Sequence, residues 1–133
     1  MNRTIDANIN RVCEGLRVVE DILRFEYDFE DHIDDLKKMR HFLREEFSTE
    51  FLKIGDRARN SVGDTGKKFS ETENNRSSVK DLLKANLYRV EEGLRVLEEA
   101  VKLNESLVIY SPKMKELRYA VYDIETKIMK IVE

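Results

Sequence analysis

A chain of 133 residues has room for one domain with a real core and not for two full ones. Its 41% hydrophobic and 38% charged residues, with one Pro and no Trp, describe a soluble, strongly helical protein. The net charge of −3, from 24 basic and 27 acidic residues, argues against a general nucleic-acid binder, which needs surplus cations to displace counterions from phosphates.

No apolar run approaches the roughly 20 residues of a membrane span. Residues 1–6 lack the apolar region of a secretory leader, and the single Cys13 allows no intrachain disulfide. A cytoplasmic location is the expectation, with no membrane and no nucleic acid among the partners.

In chain order, Thr4 or Asp6 is the expected cap of a first helix, because a short side-chain oxygen can accept a free first-turn N–H. Ile5, Ile9, Val12, Leu16, Val19 and Leu23 recur at three- and four-residue intervals and form an apolar stripe reaching about Phe25. On a helical wheel Asn8, Arg11 and Gly15 lie along one edge of that stripe, with Glu14 just beyond. Residues 26–32 are an acidic, aromatic connection. A second helix follows from about Ile33, with Leu36, Met39, Phe42, Leu43, Phe47 and Phe51 inward and Lys37 and Arg40 on its flank.

From residue 55 to 78 the helical pattern stops. Three of the five glycines lie here (Gly55, Gly63 and Gly66), together with Arg57, Arg59, Asp64, Lys67 and Arg76. A connection this long is commonly functional or disordered. Ser77 or Ser78 is the expected cap of a third helix, with Asp81 in its first turn and Leu83, Leu87, Val90, Leu94, Leu97 and Val101 inward. An apolar connection over residues 107–110 leads to Ser111 and Pro112, a cap followed by Pro at the first helical position. The fourth helix then buries Met114, Leu117, Val121, Ile124, Ile128 and Ile131.

The first helix recurs in the third. Residues 7–20 and 85–98 are identical at ten of fourteen positions, with an offset of 78. The same offset places Leu36, Lys37, Met39 and Arg40 on Met114, Lys115, Leu117 and Arg118. The repeated unit is therefore a helical hairpin. The expected fold is an all-α four-helix bundle of two repeated hairpins with pseudo-twofold symmetry and a long functional loop between them. It is expected as a single domain of residues 1–133: repeat 1 about 4–54, loop 55–78, repeat 2 about 79–133.

Repeated Leu and Val follow from core packing, but a repeated Asn, a repeated Gly, two repeated Glu and two repeated Arg need a further reason. One reading is structural. Arg11, Glu14 and Arg17, like Arg89, Glu92 and Arg95, are spaced for i,i+3 ion pairs, and Gly15 and Gly93 allow helices to cross closely. The other is an anion site. Gly inside a helix costs about 1 kcal/mol relative to Ala, and a polar pair at the core edge demands a partner. In that reading Arg11, Arg40, Arg89 and Arg118 converge where the hairpins meet, since clustered guanidiniums bind phosphate bidentately. Glu14 and Glu92 would orient them, hold Mg²⁺ or accept a proton, and the glycine-bearing loop would close over a phosphorylated ligand.

No Walker A, GxGxxG, HExxH, CxxC or GxSxG motif is present, and His32 and His41 lack metal-ligand spacing. Cys13 falls opposite Glu91 in the repeat, which suggests a tolerant position.

Residues 6–20, the run Ala58-Arg59-Asn60-Ser61-Val62-Gly63-Asp64-Thr65-Gly66, Arg76 and residues 85–99 together resemble one family across nearly the whole chain. It is the small helical domain often fused in front of thiamine phosphate synthase and sometimes encoded alone. The resemblance implies a kinase that transfers the γ-phosphoryl of ATP to 4-amino-5-hydroxymethyl-2-methylpyrimidine phosphate, with Mg²⁺. On that basis Arg11, Arg59, Arg76 and Arg89 contact phosphates. Asn8 and Asn86 bond the pyrimidine or a phosphate, and Glu14, Asp64 and Glu92 bind metal or orient arginines. The competing expectation is a non-catalytic module for the pyrimidine phosphate or the synthase. A (β/α)₈ synthase barrel needs about 250 residues, so the synthase is expected as a separate chain and partner. A homodimer is the default for a small symmetric bundle.

Overall fold

The four apolar stripes become four helical rods in a computed structural model, which describes residues 1–54, 62–66 and 75–132. Helix α1 spans Asn2–Phe25. Helix α2 spans Ile33–His41 and continues through a π-helical segment, Phe42–Phe47, into α3, Ser48–Ile54. Helix α4 spans Val79–Ala100 and α5 Ser111–Ile131. The described residues contain no strand, and the rods pack as an all-α four-helix bundle. The central contact is α1 against α4; α2 lies on α1, and α5 lies on α4.

The expected stripes are buried throughout α1 and α4, and their side chains form one cluster with those of α2, α3 and α5. Each fully buried Leu, Ile or Val in it stabilises by about 1.5–3 kcal/mol. Two expected inward positions differ. Ile131 is exposed at the end of α5 and Val132 is buried in its place, while Phe42 is half-buried, stacks on Phe47 and lies tilted against Tyr110.

The π segment has a cause in the pattern. Met39, Leu43, Phe47 and Phe51, all buried, repeat every four residues. An α-helix turns every 3.6 residues and would rotate such a stripe away from the core. A wider turn keeps it facing inward. Ser48 Oγ donates to Leu43 O at 2.6 Å, five residues back, and ties off one of the carbonyls there.

Helix starts divide into two kinds. Ser78 caps α4 as expected: its Oγ accepts from Asp81 N at 3.1 Å, while Ser77 Oγ donates to Asp81 Oδ2 at 2.8 Å. Neither Thr4 nor Asp6 caps α1, which begins at Asn2 behind Met1 with no side-chain cap, so both lie within the helix. Ser111 likewise sits inside α5, behind Tyr110. Its hydroxyl donates to Glu98 O at 3.0 Å and fastens the start of α5 to the end of α4. Pro112 keeps its place in the first turn.

Candidate functional site

The helix crossing positions most of the repeated polar residues. A Cβ on Gly15 would stand 2.8 Å from Val90 Cγ2 and 3.1 Å from Asn86 O. One on Gly93 would stand 2.5 Å from Val12 Cγ2 and 3.6 Å from Asn8 Oδ1. Both glycines are therefore required by the close approach of α1 to α4, which accounts for their recurrence. The crossing is antiparallel, since residues 8 and 12 meet 93 while 86 and 90 meet 15. This register brings Arg11 level with Glu92 and Arg89 level with Glu14.

Asn8 and Asn86 are buried beside these glycines. Asn8 Nδ2 donates to Thr4 O at 2.8 Å, and Asn86 Nδ2 donates to Leu82 O at 2.9 Å. Asn8 Oδ1 in turn accepts from Arg11 Nη1 at 2.9 Å. Arg11, Glu14, Arg89 and Glu92, the residues expected to act in catalysis, are all on exposed sides of α1 and α4. Among the described residues the Arg89 side chain makes no hydrogen bond or ion pair. The neighbouring arginines pair along their own helices, Arg17 with Asp21 and Arg95 with Glu98 and Glu99.

Arg40 and Arg118 occupy a different part of the bundle. Arg40 Nε and Nη2 bond Glu20 Oε2 and Oε1 at 2.9 and 3.0 Å, tying α2 to α1. Arg118 Nε and Nη2 reach Glu98 Oε1 at 3.3 and 2.9 Å, tying α5 to α4. Glu20 and Glu98 are buried; despite partial desolvation the hydrogen bond to Glu20 raises the pKa of Arg40, and hydrogen bonds to Tyr122 and then Glu98 raise that of Arg118. The two pairs are interhelical struts. The repeat already contained their acidic halves, since both glutamates and both arginines obey the offset of 78, but it is silent on what they touch.

Asp64 and Arg76 are exposed. Asp64 Oδ1 accepts from Gly66 N at 2.9 Å, and Arg76 Nη1 donates to Asn75 O at 2.9 Å. Arg59 lies outside the described residues, as do Gly55, Arg57 and Lys67. Among the described residues no group of three or more His, Cys, Asp or Glu side chains could hold a metal ion, so Glu14, Asp64 and Glu92 are not gathered into such a group. His32 and His41 stand beside Asp35 and Glu45 at the ordinary helical spacings.

The sequence gives little warning of a groove between α4 and α5, about 310 Å³ in volume and lined by Tyr88, Glu91, Glu92, Arg95 and Tyr122. Glu91 is 8% exposed, and its Oε2 has no hydrogen-bond partner among the described residues. Burial, followed by the facing Glu125 and then Glu92, raises its pKa from the usual 4.5 to about 8, so the carboxyl is largely protonated at neutral pH. Tyr122 OH accepts from Arg118 Nη1 at 3.1 Å, which links this wall of the groove to the Arg118–Glu98 strut.

Residues 3–127 match the model of the ThiD2 family. The chain is 42% identical over 132 residues to a thiamine-phosphate synthase of Nostoc sp., covering 96% of this chain and 35% of that protein. It is 37% identical over 128 residues to the thiamine-phosphate synthase of Nostoc punctiforme, covering 96% and 35%. It is 36% identical over 130 residues to that of Prochlorococcus marinus subsp. pastoris, covering 97% and 35%. The chain thus spans about a third of the length of these curated relatives. No solved structure matches it. Among the described residues no helix is long and apolar enough to cross a membrane.

Proposed function

The chain belongs to the ThiD2 family, and from that membership we propose that it serves thiamine biosynthesis as a kinase of 4-amino-5-hydroxymethyl-2-methylpyrimidine phosphate. An oxygen of the acceptor's phosphate attacks the γ-phosphorus of ATP. The new O–P bond replaces the bond to the β-phosphate oxygen, and ADP leaves. The acceptor phosphate has a second pKa near ~6 and is already largely dianionic at neutral pH, so no strong base is needed. What the protein must supply is positioning and positive charge.

The observation that carries this reading is the contrast among the repeated arginines. Arg40 and Arg118 are consumed in struts, whereas Arg11 and Arg89 recur on exposed sides of the central helix pair, Arg89 without a partner among the described residues. Among the described residues Arg11 bonds Asn8 Oδ1 on its own helix, and neither cation is taken up in an interhelical ion pair. Arg59 and Arg76 join them as phosphate contacts in this reading, with Asn8 and Asn86 at the crossing as supports. Mg²⁺ would enter with the nucleotide as MgATP, because Mg²⁺ on nucleotides needs only one or two carboxylates. Glu14, Glu92 and Asp64 are the candidates for that role.

The test is turnover with MgATP and the pyrimidine monophosphate, quantifying ADP and diphosphate together, with the unphosphorylated alcohol run in parallel. Equal yields of both products and no turnover of the alcohol are expected. Arg89→Ala should lower kcat/KM by about 10²–10³-fold, the loss typical of one preorganised charge-stabilising donor. A second reading is a binding module that serves a synthase without catalysis. The relatives' names and their greater length favour it. Thermal stabilisation by the monophosphate with no ADP formed would select it.

A further inference from the structure

The ten identical positions of residues 7–20 and 85–98 sort by what they touch. Asn8, Val12 and Gly15 meet at the crossing, Leu16 lies in the core, Glu20 holds a strut and Arg17 pairs with Asp21 on its own helix. The remaining Ala7, Arg11, Glu14 and Val18 share one side of α1, and Ala85, Arg89, Glu92 and Val96 share the same side of α4. It is the side turned away from α2 and α5, which reach α1 through Glu20 and α4 through Glu98. The two Ala and two Val are half-buried there, and the two Arg and two Glu are exposed. Phe25 and Leu103, again 78 apart, extend the two stripes to opposite ends of the helix pair and are 64% and 76% exposed.

The charges on this face alternate. The antiparallel register sets Arg11 level with Glu92 and Arg89 level with Glu14, so the arginines take one diagonal of a square and the glutamates the other. Among the described residues neither level pair is closed by an ion pair within the chain. Such a square is complementary to itself. A second copy turned about a twofold axis lying in the face along the helices brings its Glu92 over Arg11 and its Arg89 over Glu14. An axis across the helices brings its Glu14 over Arg11 and its Glu92 over Arg89. Either way every cation meets an anion, which is what an isologous interface demands of a single patch. Two helices of 24 and 22 residues, lying about 8–10 Å apart, offer roughly 700 Å². That is close to the ~800 Å² each partner buries in a standard interface.

We propose that this outer face of α1 and α4 is a homodimer surface, with a second copy of the chain as its occupant. The half-buried Ala and Val side chains, with Phe25 and Leu103 at the ends, supply the apolar contact, and the Arg–Glu square fixes the register. The surface rests on the charge pattern and not on the kinase reading. The two meet at Arg11 and Arg89, the phosphate contacts of that reading. A phosphate and the partner copy's carboxylates compete for the same guanidiniums, so a phosphorylated ligand that binds there shifts the protein toward monomer.

The experiment is sedimentation equilibrium of the full chain over a range of concentrations, at low and at high salt, beside two charge-reversed variants. Wild type should dimerise, and the dimer should weaken as salt rises. Glu14→Arg with Glu92→Arg makes the square wholly basic, and Arg11→Glu with Arg89→Glu makes it wholly acidic. Each alone should dimerise about a hundredfold more weakly, because every Arg–Glu pair becomes a like-charge pair. An equimolar mixture of the two should restore a one-to-one dimer, with circular dichroism confirming that each is folded. Wild type that stays monomeric at ~100 µM, where a micromolar dimer is mostly assembled, overturns the proposal. So does a dimer that survives in either variant, and so do two folded variants that fail to pair. Wild type is also run with the pyrimidine monophosphate and with MgATP, beside the turnover assay. Turnover by a protein that is monomeric throughout would remove the interface and leave the kinase. A dimer that neither ligand loosens, without turnover, would remove the kinase and leave the interface.

Discussion

The two halves of the chain agree where they hold the bundle together and disagree where one of them opens. Glu20–Arg40 and Glu98–Arg118 are the same strut built twice, and Gly15 and Gly93 are the same close approach seen from either helix. Two turns from the strut, Cys13 and Phe47 fill the first half, while Glu91 faces Glu125 across the second. What is repeated marks the framework. What departs from the repeat is a pair of carboxyls where the first half has a thiol and a phenyl ring.

The largest effect that would break this comparison is loss of a strut. Glu98→Ala leaves the Arg118 guanidinium buried and unpaired and should cost about 3–5 kcal/mol in urea unfolding. Glu20→Ala should cost less, because the Arg40 side chain is 22% exposed against 9% for Arg118 and can turn to water. Equal losses would mean that the two struts are equally dry.

Next come the glycines. Gly15→Ala and Gly93→Ala each place a methyl in contact with a valine and should cost about 1–3 kcal/mol, even though Ala favours a helix by about 1 kcal/mol. Gly15→Ala also meets the Asn86 carbonyl oxygen, backbone that cannot change rotamer. A neutral result in thermal melts would show that the helices can separate without penalty.

The carboxyl difference has a sign in pH. Glu91 binds its proton more tightly in the folded protein, with a pKa of about 8 against the usual 4.5. Its contribution is fully present below about pH 4.5 and is lost as pH rises through about 8, with a slope of at most ~1.4 kcal/mol per pH unit. Urea unfolding at a series of pH values should show this decline in wild type and not in Glu91→Gln. Glu91→Cys with Glu125→Phe, which copies the first half, should also abolish it.

The smallest effect concerns helix starts. Ser78→Ala removes the cap of α4 and should cost about 1 kcal/mol, whereas Thr4→Ala in α1, where no side-chain cap exists, should leave stability nearly unchanged.

Much of this fold was legible in the residues. Apolar spacing located the rods, and the Ser78 cap and Pro112 located two starts. The repeat announced the paired crossing. The caps at Thr4 and Ser111 were misplaced because a hydroxyl near a helix start has several possible partners: Ser111 found Glu98 O on a different helix. Arg40 and Arg118 were grouped with the other arginines because an offset shows that a residue recurs and is silent about what it touches. Glu91 looked tolerant for the same reason, since its meaning depends on Glu125, thirty-four residues on in another helix.

The sequence by itself determined the all-helical bundle, the inward face of each rod and the recurrence of a polar set, because these follow from periodicity along a single helix and from comparison of the chain with itself. Only the tertiary structure decided which arginines are struts and which remain exposed, why the glycines recur, and that two carboxyls meet beside a groove. Those are matters of distance between helices, where the charge of a buried group is set by whatever the neighbouring helix places within a few ångströms of it.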